Sequence, residues 1–274
     1  MPSYLITGAS RGLGFEFIRQ YSQDPANLVI GLVRSVAATE KKVAAEFPDR
    51  TNIHIVHGDI TDRESLKQAA EQVSKITGSS GLDVLIANAA YISDFSAWDG
   101  LGDLAAKEPT KLNDDLNTAF ATNVTANIHL FTLFLPLIRL GQLKKVITLT
   151  TGMADLDFTT QFNIVAAGPY SVSKAAMNAV IAKFSAQYKS EGILFLGVSP
   201  GLVDTKEGGG EPTPEQAAGA AAMIKAFSNY APAFTGPITP AESVGYLREV
   251  IERAHVERGY AGGFLSHYGN KQWL

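Results

Sequence analysis

Thr7-Gly8-Ala9-Ser10-Arg11-Gly12-Leu13-Gly14 follows directly on the short β-rich run Tyr4–Thr7 and leads into residues of helical character. A backbone that turns sharply from strand to helix and approaches a pyrophosphate closely needs glycine, because a Cβ would stand in the way. The amide groups and dipole at the start of the following helix then stabilise negative charge. Glycine-rich turns join many strands to helices, so the octapeptide alone carries little. Its place after the first strand of a β–α–β pattern points to nucleotide binding.

The rest of the chain repeats that alternation. Tyr4–Thr7, Leu28–Val33, Ile53–His57, Val84–Ala87, Val146–Thr150 and Ile193–Ser199 are short and nearly continuous in apolar residues, as strands buried on both faces of a parallel sheet are. Between them, Leu13–Gln23, Ser65–Ile76, Leu116–Leu140 and Tyr170–Ser190 have helical character. Thr61 and Glu64 have the spacing of a capping box. Such alternation implies right-handed crossovers and predicts an α/β fold. The expectation is a single Rossmann-type domain over residues 1–274, a doubly wound parallel sheet with helices on both faces. One composition shift runs from Lys206 to Pro240, opening with Gly208-Gly209-Gly210 and closing with Phe234-Thr235-Gly236-Pro237. An alanine-rich helix from about Pro214 to Tyr230 lies inside it. This 206–240 excursion reads either as a mobile lid over the substrate or as an ordered surface helix pair.

Composition narrows the function. Of 274 residues, 46% are hydrophobic and 18% charged, enough apolar material to bury one large core. The formal net charge of -4, with no long basic run, argues against a nucleic-acid partner. The lack of cysteine removes disulfides, thiolate metal sites and thiol catalysis, and suits a reducing compartment. The first residues enter a strand almost at once, without the regions of a secretion signal, and Ile128–Leu140 is too short to span a bilayer. A soluble, cytoplasmic protein with no membrane partner is expected.

The end of the second strand bears on which nucleotide is bound. NAD sites place an Asp or Glu there for the adenosine ribose hydroxyls. Here the strand ends Gly31-Leu32-Val33-Arg34, and Arg11 lies within the glycine loop. Two guanidiniums suit a 2′-phosphate, so the expected cofactor is NADP(H); the alternative is two solvated surface arginines. Asp59-Ile60 follows the third strand, where a carboxylate can accept the adenine amino group, although a turn or cap role competes. Asn88-Ala89-Ala90 follows the fourth, also at the carboxyl edge of the sheet.

Tyr170-Ser171-Val172-Ser173-Lys174 puts a phenol and an ammonium four residues apart on one helix face. A free phenol, with a pKa of about 10, is a sluggish acid–base group at neutral pH. A nearby lysine and a positively charged nicotinamide both favour phenolate and lower that pKa. Alone, such a pair is commonplace and structural.

Taken in order, the Thr7–Gly14 loop, Asp59-Ile60, Asn88-Ala89, Asn123, Tyr170-x-x-x-Lys174 and Pro200-Gly201 resemble the motifs of the short-chain dehydrogenase/reductase family, from Ser3 to about Thr205. Within it the chain looks most like the carbonyl-reductase and Sniffer-like branch, which includes fungal ketoreductases. The ending Gly269-Asn270-Lys271-Gln272-Trp273-Leu274 looks like fungal members too. The resemblance implies that Tyr170 gives a proton to the carbonyl oxygen, Lys174 holds the nicotinamide ribose and lowers the tyrosine pKa, and Asn123 binds a water that relays protons. The fourth place, normally serine, aligns with Thr151 in Thr148-Leu149-Thr150-Thr151, with Thr150 as the alternative. Thr keeps the hydroxyl donor. The cofactor contacts so implied are Gly8, Ser10, Arg11, Gly12, Leu13, Gly14, Arg34, Asp59, Ile60, Asn88, Ala89, Tyr170, Lys174, Pro200, Gly201, Val203 and Thr205. Asn-Asn-Ala-Gly of the family becomes Ala87-Asn88-Ala89-Ala90 here, and the stretch between Thr151 and Tyr170 is longer than usual. Helices at this point in the family commonly pair subunits, so a homodimer or homotetramer is expected by analogy.

The expected function is NADPH-dependent reduction of an aldehyde or ketone; Tyr91, Phe95, Phe158, Phe162 and Phe234 around the pocket suggest a bulky apolar or aromatic small-molecule substrate. One alternative is a specialised biosynthetic enzyme that couples NADPH reduction to isomerisation or cyclisation. Another is a non-catalytic NADPH-sensing protein. His54 and His57 flank a strand without carboxylate companions, so no metal site is expected. Phe131, Phe134 and Leu135, with Leu130 and Leu137, read as core or subunit interface, and Asp114-Asp115 as a solvated helix start.

Overall fold

The strands of the computed structural model are β1 (Ser3–Thr7), β2 (Leu28–Val33), β3 (Ile53–His57), β4 (Val84–Ala87), β5 (Lys145–Leu149), β6 (Leu194–Ser199) and β7 (Phe264–Ser266). Residues 1–205, 212–214 and 216–274 are described. All neighbours pair in parallel, in the order β3-β2-β1-β4-β5-β6-β7. The chain winds outward from β1 in both directions, so the order reverses between β1 and β4. That reversal opens a crevice at the carboxyl ends of the strands, where ligands bind in such sheets.

Each inner strand is buried on both faces. Leu5, Leu85, Val146 and Phe195 face one core with α3 (Arg63–Thr77), α6 (Ala126–Leu140) and α8 (Gly168–Tyr188). Their neighbours Ile6, Ile86, Ile147 and Leu196 face the other, with α1 (Gly12–Tyr21) and α10 (Pro240–Arg253). At about 1.5–3 kcal/mol for each fully buried large side chain, these two layers are the main stabilising term. Asp83 fastens β1 to β4: it accepts from the Ser3 amide (2.9 Å) and hydroxyl (3.1 Å) and from the amides of Gln142 and Leu143. The remaining helices are α2 (Val36–Glu46), α4 (Leu101–Lys107), α5 (Pro109–Phe120), α7 (Leu156–Phe162) and α9 (Ala217–Tyr230).

Several expectations change. α3 is capped by Asp62, which accepts from the amides of Glu64 and Ser65, so the Thr61/Glu64 box does not form. Thr61 instead donates its hydroxyl to Asp59. Asp115 is not solvated: it is 4% exposed and accepts from Tyr91 Oη (2.9 Å) and Ser96 Oγ (2.6 Å). α5, the five-residue wide turn Ala121–Thr125 and α6 run on as one helix from Pro109 to Leu140. That helix is long and apolar enough by length and composition to cross a membrane, which the shorter stretch read from sequence was not. Just over half of its most apolar part is buried inside the chain, where Phe131, Phe134 and Leu135 belong to the core.

Lys206 and Gly208-Gly209-Gly210, the opening of the expected excursion, lie outside the described residues. Its neck is closed by a parallel bridge between Val203 and Ile238, with the Ile238 amide donating to Leu202 O and the Asp204 amide to Ile238 O. Between them α9 packs on α7. A third apolar cluster forms there from Phe158, Ile164, Ala226, Phe227 and Trp273.

Candidate active site

The loop after β1 is shaped by glycine. Gly8 (φ 67°) and Gly12 (φ 52°) adopt the left-handed region that disfavours a side chain. A Cβ on Gly14 would run into the carbonyl oxygen of Gly8. No side chain caps α1 and its first turn holds no carboxylate, so its amide groups face the loop without an internal anion. Thr7 Oγ1 accepts from the amides of Asn88 and Ala89 (3.0 Å each), and Asn88 Nδ2 donates to Thr7 O (2.9 Å). These bonds bring the ends of β1 and β4 together beneath the cradle. A pyrophosphate-bearing nucleotide fits this donor set and this close backbone approach.

Cations gather beside the cradle. Arg11 and Arg34 are exposed, and Arg34 stands at the end of β2. Lys42 on α2, which no sequence motif marked, lies 3.9 Å from the centre of the Phe15 ring and 3.5 Å from Ser10 O. Asp59 accepts from the Thr61 hydroxyl (2.7 Å) and amide (2.9 Å), so it shapes a turn. Those bonds hold its carboxyl below the usual range, and Arg34 adds to the effect.

Tyr170 and Lys174 lie one helical turn apart near the start of α8. Pro169 in the first turn suits a helix start, since its missing amide hydrogen has no intrahelical acceptor there. Lys174 Nζ is 5.8 Å from the Tyr170 ring centre and donates to Leu149 O at the end of β5 (2.7 Å). Burial pushes Tyr170 up to about 12 and Lys174 down to about 8. Desolvation is the cause of both shifts; the lowering expected for Tyr170 invokes the positive charge of the nicotinamide as well as Lys174.

Asn123 sits in the wide turn of the long helix, fully buried. Its amide donates to Tyr91 O (2.9 Å) and Ser173 Oγ (3.0 Å), and its oxygen accepts from the Tyr91 amide (2.8 Å). The side chain therefore ties the loop after β4 to α8. Its main-chain carbonyl accepts from Asn127 Nδ2 (2.9 Å).

The two threonines differ. Thr150 is buried, and its hydroxyl has no partner among the described residues. Thr151 is half-buried, begins the turn Gly152–Ala154 and accepts from the Met153 amide at 3.3 Å. α8 packs against that turn and against the wide turn holding Asn123, so the elements carrying Thr151, Asn123, Tyr170 and Lys174 converge.

Pro200-Gly201 follows β6, with Gly201 at φ 83°. Ser243 Oγ donates to Pro200 O (2.7 Å), and His267 fills the space a Cβ on Gly201 would need. Burial pushes His267 down to about 4. Val203 and Thr205 lie at the neck of the excursion, the Thr205 amide donating to Val203 O.

The expected aromatic lining is largely closed. Phe158 is buried against Phe162, Phe227 and Tyr230, and Phe234 packs on Phe227. Phe95 lies under Lys111, and Tyr91 is tied down by Asp115. Apolar surfaces meet because burying them together removes more area from water than lining an open pocket does. A cleft of about 390 Å³ lies elsewhere, between α2 and β3, lined by Val43, Phe47, Ile55 and Ile76 among others, far from Tyr170 in the fold. His54 and His57 are exposed, and no group of three or more His, Asp or Glu able to hold a metal occurs among the described residues.

Comparisons with known proteins agree with this geometry. A family model described as short chain dehydrogenase matches residues 3–215. Short chain dehydrogenase virK of Hypocrea virens is 54% identical over 274 residues, spanning all of both chains. Short-chain dehydrogenase/reductase iacC of Pestalotiopsis fici is 49% identical over 274 residues, again across both chains. Among solved structures, the NADPH-bound carbonyl reductase from chicken fatty liver matches with a TM-score of 0.76 at 25% identity, over 98% of each chain.

Proposed function

The chain belongs to the short chain dehydrogenase family of oxidoreductases, and from that premise we propose that it reduces an aldehyde or ketone to the alcohol with NADPH. The observation that carries the reading is the Tyr170–Lys174 pair on one face of α8, with Lys174 held at the carboxyl end of β5, on the same edge of the sheet as the glycine loop. Bound in that cradle, the cofactor would supply hydride to the carbonyl carbon. As charge builds on the carbonyl oxygen, that oxygen becomes a far stronger base than a phenolate and takes the Tyr170 proton.

A phenol pushed up to about 12 is fully protonated at neutral pH, which favours the reducing direction. Lys174, pushed down to about 8, remains mostly charged at pH 7 yet close enough to titration to return a proton to Tyr170. Its bond to Leu149 O uses one of three donors and leaves two for a ribose hydroxyl and the phenol. Thr151 Oγ1 would hold the substrate oxygen, a reading supported by its partial exposure and by the burial of Thr150. Arg34 and Arg11, aided by Lys42, would hold the 2′-phosphate that separates NADPH from NADH.

NADPH consumption against a panel of carbonyl compounds, from small dicarbonyls to bulky aromatic ketones, tests the reading, with NADH in parallel. Turnover should require NADPH. Tyr170→Phe should lower kcat by about 100-fold or more while leaving NADPH affinity nearly intact, as loss of a general acid does. Turnover within threefold of the parent would exclude Tyr170 as the proton donor.

A further inference from the structure

The 269–274 segment folds back onto the turn that follows β5. Trp273 is 3% exposed and stacks on Phe264 of β7, ring centres 4.5 Å apart. Its side chain occupies the space that a Cβ on Gly152 would need, 2.6 Å from Trp273 Cβ and 2.8 Å from Cγ. Gly152 is the residue directly after Thr151.

The same segment grips α9. The Trp273 amide donates to the Tyr230 hydroxyl (3.0 Å), which donates in turn to Lys271 O (3.0 Å). The Lys271 ammonium lies 3.6 Å from Asp155 Oδ2 and over the rings of Phe264 and Trp273. Asp155 caps α7 by accepting from the Phe158 amide (2.9 Å). One short stretch thus touches the 151–155 turn, the start of α7 and the last turn of α9.

We propose that Trp273 is a positioning residue that sets the place of the Thr151 hydroxyl and links it to the seating of α9. The turn needs such support, because the bond from the Met153 amide to Thr151 Oγ1 is long at 3.3 Å. Ser199 Oγ holds the Gly152 amide from the β6 side (3.0 Å), and the Trp273 ring closes the other. α9 is tied at its far end as well: Gln216 Nε2 donates to Asp99 Oδ2 (3.1 Å), and Gly219 seats against the carbonyl of Trp98. A helix held at both ends moves as a unit. Displacing its Tyr230 end removes the acceptor of the Trp273 amide and loosens the turn that presents Thr151. The functional part of this inference rests on the reductase reading above, through the role given to Thr151; the clasp itself does not.

Hydrogen exchange of the whole protein without cofactor tests the clasp directly, on the parent, Trp273→Ala, Trp273→Phe and Tyr230→Phe. Trp273→Ala should speed exchange of the bonded amides at Gly152, Ala154 and Asp155 by about tenfold or more, while β1, β2 and β4 stay protected. Tyr230→Phe should produce a smaller rise at the same amides and at the end of α9. Kinetics on a carbonyl substrate should show kcat lowered by about tenfold in Trp273→Ala, with NADPH affinity within about twofold and most activity restored by Trp273→Phe. Unchanged exchange at 152–155, or an equal rise over the whole sheet, overturns the clasp. So does a matching loss of NADPH affinity. A parent protein that turns over no carbonyl compound defeats the reductase reading, and the exchange data then judge the clasp alone.

Discussion

At the carboxyl end of β1 the molecule offers main-chain groups. At the carboxyl ends of β5, β6 and β7 it offers side chains. The first region is a glycine loop of eight consecutive residues opening onto the amides of α1, with Asn88 and Thr7 bracing it from below. The second gathers Met153, Phe158, Phe227, Tyr230, Phe264 and Trp273 from five separate segments. A backbone site binds a group common to every turnover, so it needs shape and donors that tolerate little change. A side-chain site can be rebuilt one residue at a time, and it is where selectivity for the second reactant can vary.

If that contrast is right, the largest effect should come from one methyl group in the first region. Gly14→Ala should weaken NADPH binding by roughly two orders of magnitude, matching the ~3 kcal/mol upper cost of overpacking. Alanine normally favours a helix over glycine, so fluorescence titration showing unchanged affinity would mean the Gly8 carbonyl is free to move.

The threonines come next, with an effect on turnover rather than on cofactor binding. Thr151→Val should lower kcat by about 100-fold, the usual loss when one donor to the reacting oxygen is removed. Thr150→Val should change kcat by less than about threefold, because an apolar isostere replaces a buried hydroxyl that has no partner among the described residues. Steady-state rates in the opposite order would assign the site to Thr150.

A smaller change is expected from charge. Arg34→Asp should shift the NADPH to NADH ratio of kcat/KM by about tenfold toward NADH, since a carboxylate repels the 2′-phosphate and accepts from a ribose hydroxyl. A ratio that stays put would move the phosphate contact to Arg11 and Lys42.

The smallest effect is on stability. His267 has a folded pKa near 4, below its ordinary 6.5, so the unfolded chain takes up the proton first. Its contribution is complete above pH 6.5 and is lost as pH falls toward 4. Melting curves at pH 7 and pH 5 should show a fall in Tm of a few degrees that is smaller in His267→Phe.

The first region was legible from the chain because its information is local. A strand, three glycines and a helix start lie within twelve residues, and no distant partner changes what Gly8 or Gly14 must do. The six strands of continuous apolar residues were legible for the same reason. β7 was not, being three residues long and dependent on β6 for its pairing. α2 shows little apolar periodicity, with Thr39 its one buried residue, so nothing in its pattern separates it from a loop. Asp115 looked solvated because Tyr91 and Ser96, its partners, come from a loop about twenty residues earlier. Trp273 carried no sign at all of its neighbour Gly152. Phe158 and Phe162, expected to line the pocket, turn into a packed cluster instead, a choice made by contacts across more than sixty residues with α9 and the Trp273 segment.

The bridge between Val203 and Ile238 brings the two ends of a long stretch within one hydrogen bond of each other. The described residues between them are bound to the rest of the chain by other contacts too: α9 packs on α7, and Tyr230 meets Trp273. Lengthening a loop closed at such a neck costs little, about 0.6 kcal/mol per doubling of length. Replacing α9 is a different matter, because a graft there must also rebuild the contacts of Phe227 and Tyr230 with Phe158 and Trp273. Length at the neck is free to drift, whereas the helix inside it has to change together with its neighbours.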